Sequence, residues 1–526
     1  MGVFYRLRRS GSPGSRDGLR SAAALGYHPG MAGRLWLAVA LGAAVLVPAA
    51  CTQEALALGR EVPPAPREFR GAWVATVDNI DWPSRPGLSV DALRRELDQI
   101  LDAAAAMRLN ALLFQVRPAC DALYESRLEP WSEWLSGRQG KAPDGGFDPL
   151  AYAIQGAQAR GLELHAWVNP FRGRHPAAKS PLVADHAAKD WMVEYAGHLW
   201  LDPGIDAARA HALRVILDIV ERYDVDGIHI DDYFYPYPAG GKPFPDDASF
   251  AAYRRGGGKL GRSDWRRSNV DAFVQTLHAG IKERKRWVKF GISPFGVVRP
   301  GVPTGIEAGI DQYEDLAADV RKWLRERWCD YVCPQLYWPV AQRKQSYATL
   351  LRSWAELVPD SVHLWVGNYA SKAVTDDAGW SVGELLNQVA LTRAEPGASG
   401  NVQFSMKVLR DDQRRLRTRL REGPYELPAL VPASRWLDDR PPAAPGLRVD
   451  LVDGDLEVRW TEDPDARWRA VYLLCGERWI LLEAIGRKPG IVFTAQQLER
   501  LGARAIAVSA VDRCGNESER VVRSLR

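Results

Sequence analysis

The sequence predicts an α/β chain: a (β/α)8 barrel followed by a small all-β sandwich. Three observations carry this reading. Eight short apolar runs alternate with eight stretches of helical spacing between residues 68 and 424. No glycine-rich phosphate-binding fingerprint follows the first run, as an open doubly wound sheet would need. The loops after the second to fifth runs are long, which marks that end as the functional face.

The first strand is expected at 70–77. Its helix follows at 91–107, where Leu93, Leu97, Ile100, Leu101 and Ala104 recur at helical spacing. Strand two, 111–117, leads through a Trp-rich loop to a helix at 149–160. Strand three, 162–169, precedes a helix at 206–222 with Leu213, Ile216, Leu217 and Val220 on one face. Strand four, 227–231, precedes a helix at 268–284 with Val270, Phe273, Val274, Leu277 and Ile281. The remaining strands are expected at 288–293, 331–337, 362–368 and 401–406, with helices at 312–327, 344–357, 382–394 and 411–420. A Pro-rich linker at 425–445 leads to 446–526, where strands at 447–452, 456–460, 470–475, 480–482 and 505–511 are separated by turn residues. That module resembles a fibronectin type III sandwich.

The N-terminal stretch 1–57 reads as an extension and signal peptide ahead of a Pro-rich linker at 58–67. An Arg-flanked apolar run at 34–50 is short for a membrane span and suits a secretory segment. Met31, directly before it, reads as the natural start. Cys51 follows the run as in a lipoprotein cleavage box, although Pro48 stands where the box has an aliphatic residue. Cleavage after Ala55-Leu56-Ala57 is the competing reading. Both place the chain outside the cytoplasm, in the periplasm or anchored to the outer membrane through Cys51. The net charge of +4, from 69 basic and 65 acidic residues, gives no reason to expect a nucleic-acid partner. Cys475 and Cys514 share the last module and could bridge there. No cysteine or histidine spacing suggests a metal, and no cofactor motif appears.

The chemistry gathers around residues 223–236. In strand four, Ile228 and Ile230 suit the helix-facing side, which turns His229 and Asp231 inward. An inward Asp at a strand's C-terminal end, followed by an aromatic loop, is the pattern of a barrel active site. The plainer alternative is that Asp231 and Asp232 cap a turn. Asp231 is the first choice for the carboxylate on the anomeric side, since glycoside cleavage needs two carboxyl groups flanking the bond. Glu307, in a Gly-rich loop, and Asp232 compete for the second position, with Asp121 behind them. Arg117, Asp121, Asn169, His229, Tyr233, Tyr235, Gln335, Tyr337, Trp338 and Asn368 are expected to bind the substrate. The 20 Trp and 17 Tyr suit both sugar stacking and a large core.

These residues carry a resemblance. The stretches 68–77, 114–118 (FQVRP), 129–132 (EPWS), 166–170 (AWVNP), 200–204 (WLDPG), 226–236, 291–296 (GISPFG) and 334–338 (PQLYW) are similar to the glycosyl-hydrolase-like 10 family of bacterial envelope proteins. The resemblance implies a (β/α)8 barrel acting on glycans, and through some members it implies cleavage of peptidoglycan strands already stripped of stem peptides. A carboxylate placed like Asp231 also resembles the strand-four nucleophile of wider α-galactosidase and α-amylase relatives. Two other readings stand beside this one: a catalytically silent glycan-binding lipoprotein, and a glycosidase on another polysaccharide.

Overall fold

The computed structural model describes residues 61–525 apart from Arg487. The expected signal segment and Cys51 lie outside the described residues. From Val62 onward the chain forms one compact unit.

Eight parallel strands close into a barrel. They are β1 (Phe69–Val74), β2 (Ala111–Arg117), β3 (Glu163–Val168), β4 (Gly227–Ile230), β5 (Lys289–Ile292), β6 (Tyr331–Val332), β7 (His363–Asn368) and β8 (Gly400–Gln403). Each pairs with its neighbours in sequence, and β8 returns to β1 through Phe69 opposite Gly400. Period-two alternation sorts the side chains into two cores. Leu112, Phe114, Leu164, Ile228, Ile230 and Val366 face the helices, while Phe69, Trp73, Leu113, Trp167, Tyr331 and Trp365 fill the barrel. Large inner rings fit because glycines stand opposite them. A Cβ on Gly291 would lie 1.9 Å from the Tyr331 ring, and one on Gly227 would lie 2.5 Å from Nδ1 of His165.

The helices form for local reasons. Ser89 caps the helix Val90–Ala106, whose Leu93, Leu97, Ile100, Leu101 and Ala104 are buried. Asp148 caps Pro149–Ala159, with Pro149 at the first turn, where its missing N–H costs nothing. Several expected elements come out shorter or broken. β6 stops at Val332, since Pro334 lacks an N–H with which to continue the ladder. The single helix expected at 312–327 is two, Gln312–Asp315 and Val320–Arg325, split where Ala317 takes a positive φ of 55°. The loop after β3 folds into its own antiparallel sheet of Arg172–Arg174, Met192–Tyr195 and His198–Leu201, three strands too short for a periodic signal.

The C-terminal module holds two antiparallel sheets. One joins β9 (Leu447–Val452), β10 (Asp455–Trp460) and β13 (Gly490–Phe493). The other runs β12 (Arg478–Ile485), β11 (Trp468–Cys475), β14 (Ala503–Val511) and β15 (Val521–Ser524). Leu456, Val458, Val471, Leu473, Ile506 and Val508 make their shared core. Cys475 and Cys514 are free thiols, so the bridge that their shared module allowed is not formed: one ends β11, and the other sits in the Asp512–Asn516 turn.

This module closes the barrel's lower end, where the strands begin. Arg467 pairs with Asp224 at 2.9 Å and Asp226 at 3.0 Å, just before β4. Lys289, the first residue of β5, donates to the Arg513 carbonyl at 3.2 Å. The stretches flanking the barrel are packed into this contact. Arg67 donates to the Gly515 carbonyl and pairs with Glu517. Tyr425, Leu430, Val431 and Leu437 are buried within 425–445.

Candidate active site

Asp231 follows β4 directly and keeps the inward parity of His229. Its Oδ2 accepts from Trp167 Nε1 at 3.2 Å and from the Asn169 amide, both from the end of β3. Its Oδ1 has only a long contact, 3.4 Å from the Tyr233 N–H. One carboxylate oxygen is therefore fastened, and the other is left for chemistry. Burial raises Asp231 from its ordinary 3.8 to about 6, with the Arg172 charge pulling it down and Asp232 pushing it up. Asn169 is held in turn, since Gln115 donates to its Oδ1 at 2.6 Å. Gln115 also accepts from the Thr76 and Val77 N–H groups, so the loop after β1 is locked into the same network.

Asp232 accepts from the Tyr237 hydroxyl, and burial raises it too, against the Tyr237 and Gln335 hydrogen bonds. The two adjacent carboxyl groups feel each other and lose their protons as a linked pair.

Beneath Asp231 a hydrogen-bonded column runs down the barrel. Trp73 Nε1 donates to His229 Nε2 at 3.1 Å. That nitrogen is therefore bare, and Nδ1–H donates to the Tyr331 hydroxyl at 3.2 Å. Tyr331 donates to His165 Nδ1 at 2.8 Å, and His165 Nε2–H donates to Glu163 at 3.0 Å. Glu163 pairs with Lys289 at 2.9 Å. Burial lowers His229 well below its ordinary value, with His165 adding to the effect, so His229 is neutral.

Aromatic rings wall the mouth. Tyr337 and Tyr369 lie 4.7 Å apart at 34°, with Phe404 6.1 Å from Tyr337 and Trp380 6.1 Å from Tyr369. Trp73 joins them through Phe404 at 6.2 Å. Tyr337 sits close enough to Asp232 to feel its charge. Across the cleft, Tyr233 stacks on Trp200 and covers the Arg172 guanidinium at 4.4 Å.

Of the residues expected from sequence, Asp231, Asp232, Asn169, Tyr233, Gln335 and Tyr337 come together here. Trp338 meets Phe295 edge-on beside them, at 5.6 Å. Six others fall elsewhere or are already occupied. Arg117 is fully buried, with Glu129, the carbonyls of Asn169 and Pro170, and Cys120 taking its donors. Asp121 accepts from the Ala119 N–H of its own loop and from Ser132. His229 has both ring nitrogens occupied. Tyr235 is buried against Phe244 and Arg266. Asn368 points outward, bonded to Tyr347, Gln388 and Asn401. Glu307 is exposed and paired with Lys344 at 2.6 Å on the rim. Trp73, Trp167, Phe404 and Trp380 were missed. Trp73, Trp167 and Phe404, which shares the inward parity of Val402, were readable from strand parity, whereas Trp380 carried no periodic signal.

The sequence profile of the glycosyl hydrolase-like 10 family matches residues 68–381. Glycosyl hydrolase YngK of Bacillus subtilis (strain 168) is 39% identical over 443 residues, which cover 80% of this chain and 86% of that protein. Glycosyl hydrolase DigH of Escherichia coli (strain K12) is 32% identical over 378 residues, 66% of this chain and 84% of that protein. Among solved structures, the glycoside hydrolase domain of PgaB (BpsB) from Bordetella bronchiseptica aligns with a TM-score of 0.47 at 12% identity, covering 68% of this chain and 98% of that one. By profile and by relatives over most of its length, this chain belongs to the glycosyl hydrolase-like 10 family and is a glycoside hydrolase.

Proposed function

We propose that this hydrolase works outside the cytoplasm on cell-wall glycan, cutting peptidoglycan strands already stripped of their stem peptides. The observation that carries the reading is Asp231: an inward carboxylate at the end of β4 with one oxygen fastened by Asn169 and Trp167, and the other free beneath aromatic walls. A fastened carboxylate with a free oxygen suits attack on, or charge stabilisation of, an anomeric carbon. Rings such as Tyr337 and Tyr369 suit the apolar faces of successive sugars, and favour bare sugars over rings carrying bulky stems. The apolar run before Cys51 supports export, with the lipid anchor at Cys51 as the means of retention in the envelope. The fibronectin-like module docks below the barrel, away from the cleft, and its role in this reading is structural.

The test incubates the protein with intact peptidoglycan and with amidase-treated strands, and reads products by mass spectrometry beside an Asp231→Asn control. Defined saccharides from the stripped strands, absent with the control, support the reading. Cleavage of a different exported polysaccharide, with no product from wall material, would overturn it.

A further inference from the structure

Arg172 is a buried cation with no carboxylate in ion-pair contact, its charge reaching Asp231 only through space. Among the described residues no acid forms an ion pair with it. Its Nε is buried and makes no hydrogen bond. Its Nη1 has only long contacts, 3.3 Å to the Pro118 carbonyl and 3.4 Å to Asn169 Oδ1. The side chain is 4% exposed and lies under the half-buried Tyr233 ring. A charge held in this way is costly unless an anion meets it. Among the other buried arginines, Arg117 has Glu129 and Arg467 has Asp224 and Asp226; Arg469, whose Nε is likewise unbonded, lies in the C-terminal module, so Arg172 is set apart by its place beside Asp231. Arg172 stands at the cleft wall because Asn169, which it touches, is the residue that fastens Asp231.

Stripping a peptidoglycan strand changes one group. The amidase hydrolyses the bond between the lactyl ether of muramic acid and the stem peptide, so a neutral amide becomes a free carboxylate, repeated once per disaccharide. We propose that Arg172 is a specificity residue that receives this lactyl carboxylate and so distinguishes stripped strands from intact ones. The proposal rests on the wall-glycan reading above. A guanidinium fork matches a carboxylate with two parallel N–H bonds, which an amide cannot accept equally. The anion enters by displacing the Tyr233 ring, and Asp231 acts on the neighbouring glycosidic bond.

The test uses two forms of the same amidase-stripped strands. One keeps its lactyl carboxylates, and the other has them coupled to methylamine through a carbodiimide, which gives small neutral amides. Chitin oligosaccharides serve as a lactyl-free control. For the wild type, kcat/KM should favour the carboxylate form by about tenfold or more, carried mainly in KM. Arg172→Gln should erase the preference and cut both forms equally, whereas Arg172→Lys should keep part of it. Circular dichroism checks that the variants fold, and the wild-type comparison decides even if Arg172→Gln does not. Equal cleavage of both forms by the wild type would overturn the assignment and leave the wall-glycan reading standing. A loss by Arg172→Gln that is equal on both forms, with the preference kept, would also overturn it, and would make Arg172 only a support for Asp231. If neither wall form is cut while chitin oligosaccharides are, the wall-glycan reading fails and this assignment fails with it.

Discussion

At the residue scale, Asp231 is the carboxylate proposed to act at the anomeric carbon, and three measurements probe it. Asp231→Asn should lower kcat/KM by roughly 10³–10⁵-fold while leaving the fold intact. Because burial raises the group to about 6, its carboxylate is lost below that pH, and kcat/KM should fall tenfold per pH unit on the acid side of about pH 6. The stability sign is the reverse of the usual carboxylate case. The folded form holds its proton to a higher pH than the unfolded chain, so ionising Asp231 costs stability as pH rises from its ordinary 3.8 through about 6. Asp231→Asn removes that cost, so its melting temperature relative to wild type should be higher at pH 8 than at pH 4.5. Glu307, exposed and paired with Lys344, is expected to be dispensable, and Glu307→Gln should retain wild-type kcat. A collapse of kcat in that variant would return Glu307 to the role of second carboxyl group.

At the scale of the element, strand parity decides what each strand end can do. β3 and β4 keep a strict two-residue alternation past their ends, so Asn169 and Asp231 were legible from sequence as inward groups. Arg117 was not, because the register between β2 and β3 shifts between Gln115 and Arg117, which frees the chain end to turn toward Glu129. Asn368 follows the outward parity of Leu364 and Val366, which sends it among the helices. Tyr235 lies beyond β4, where no period operates. The aromatic wall from the ends of β6, β7 and β8 has a testable share in binding. Tyr337→Ala should raise KM about tenfold through lost stacking, with kcat changed less. An unchanged KM would place the sugar elsewhere in the cleft.

At the scale of the whole molecule, the C-terminal module works as the floor of the barrel. Removing Arg467 strands the buried Asp226 carboxylate, so Arg467→Ala should cost about 3–5 kcal/mol of unfolding free energy, while kcat/KM at 25 °C stays unchanged. Denaturant titration together with kinetics on the same variant checks both halves. Acid should also attack the interior. Burial alone would push Glu129 and Glu163 up, but Arg117 and His211 hold the first at about 2, and Lys289 and His165 hold the second low. The folded protein therefore binds fewer protons than the unfolded chain between the ordinary 4.5 and about 2, and the stability that is full above 4.5 drains away as pH falls through that window.

By itself, the sequence determined the eight alternating units, the inward direction of Asp231 and Asn169, the family, and a separate β-rich end. These follow from local periodicity and contiguous motifs, which a chain carries without being folded. The tertiary structure alone decided which polar groups remain available. Arg117, His229 and Asn368 look like ligands in the chain but are consumed by partners as remote as Tyr331 and Gln388. Arg172 is in the chain one of several polar residues at the end of strand three, yet only the fold leaves its Nε unpaired beside Asp231. Availability is a balance of hydrogen-bond donors and acceptors taken over neighbours in space, and only closure of the barrel brings those neighbours together.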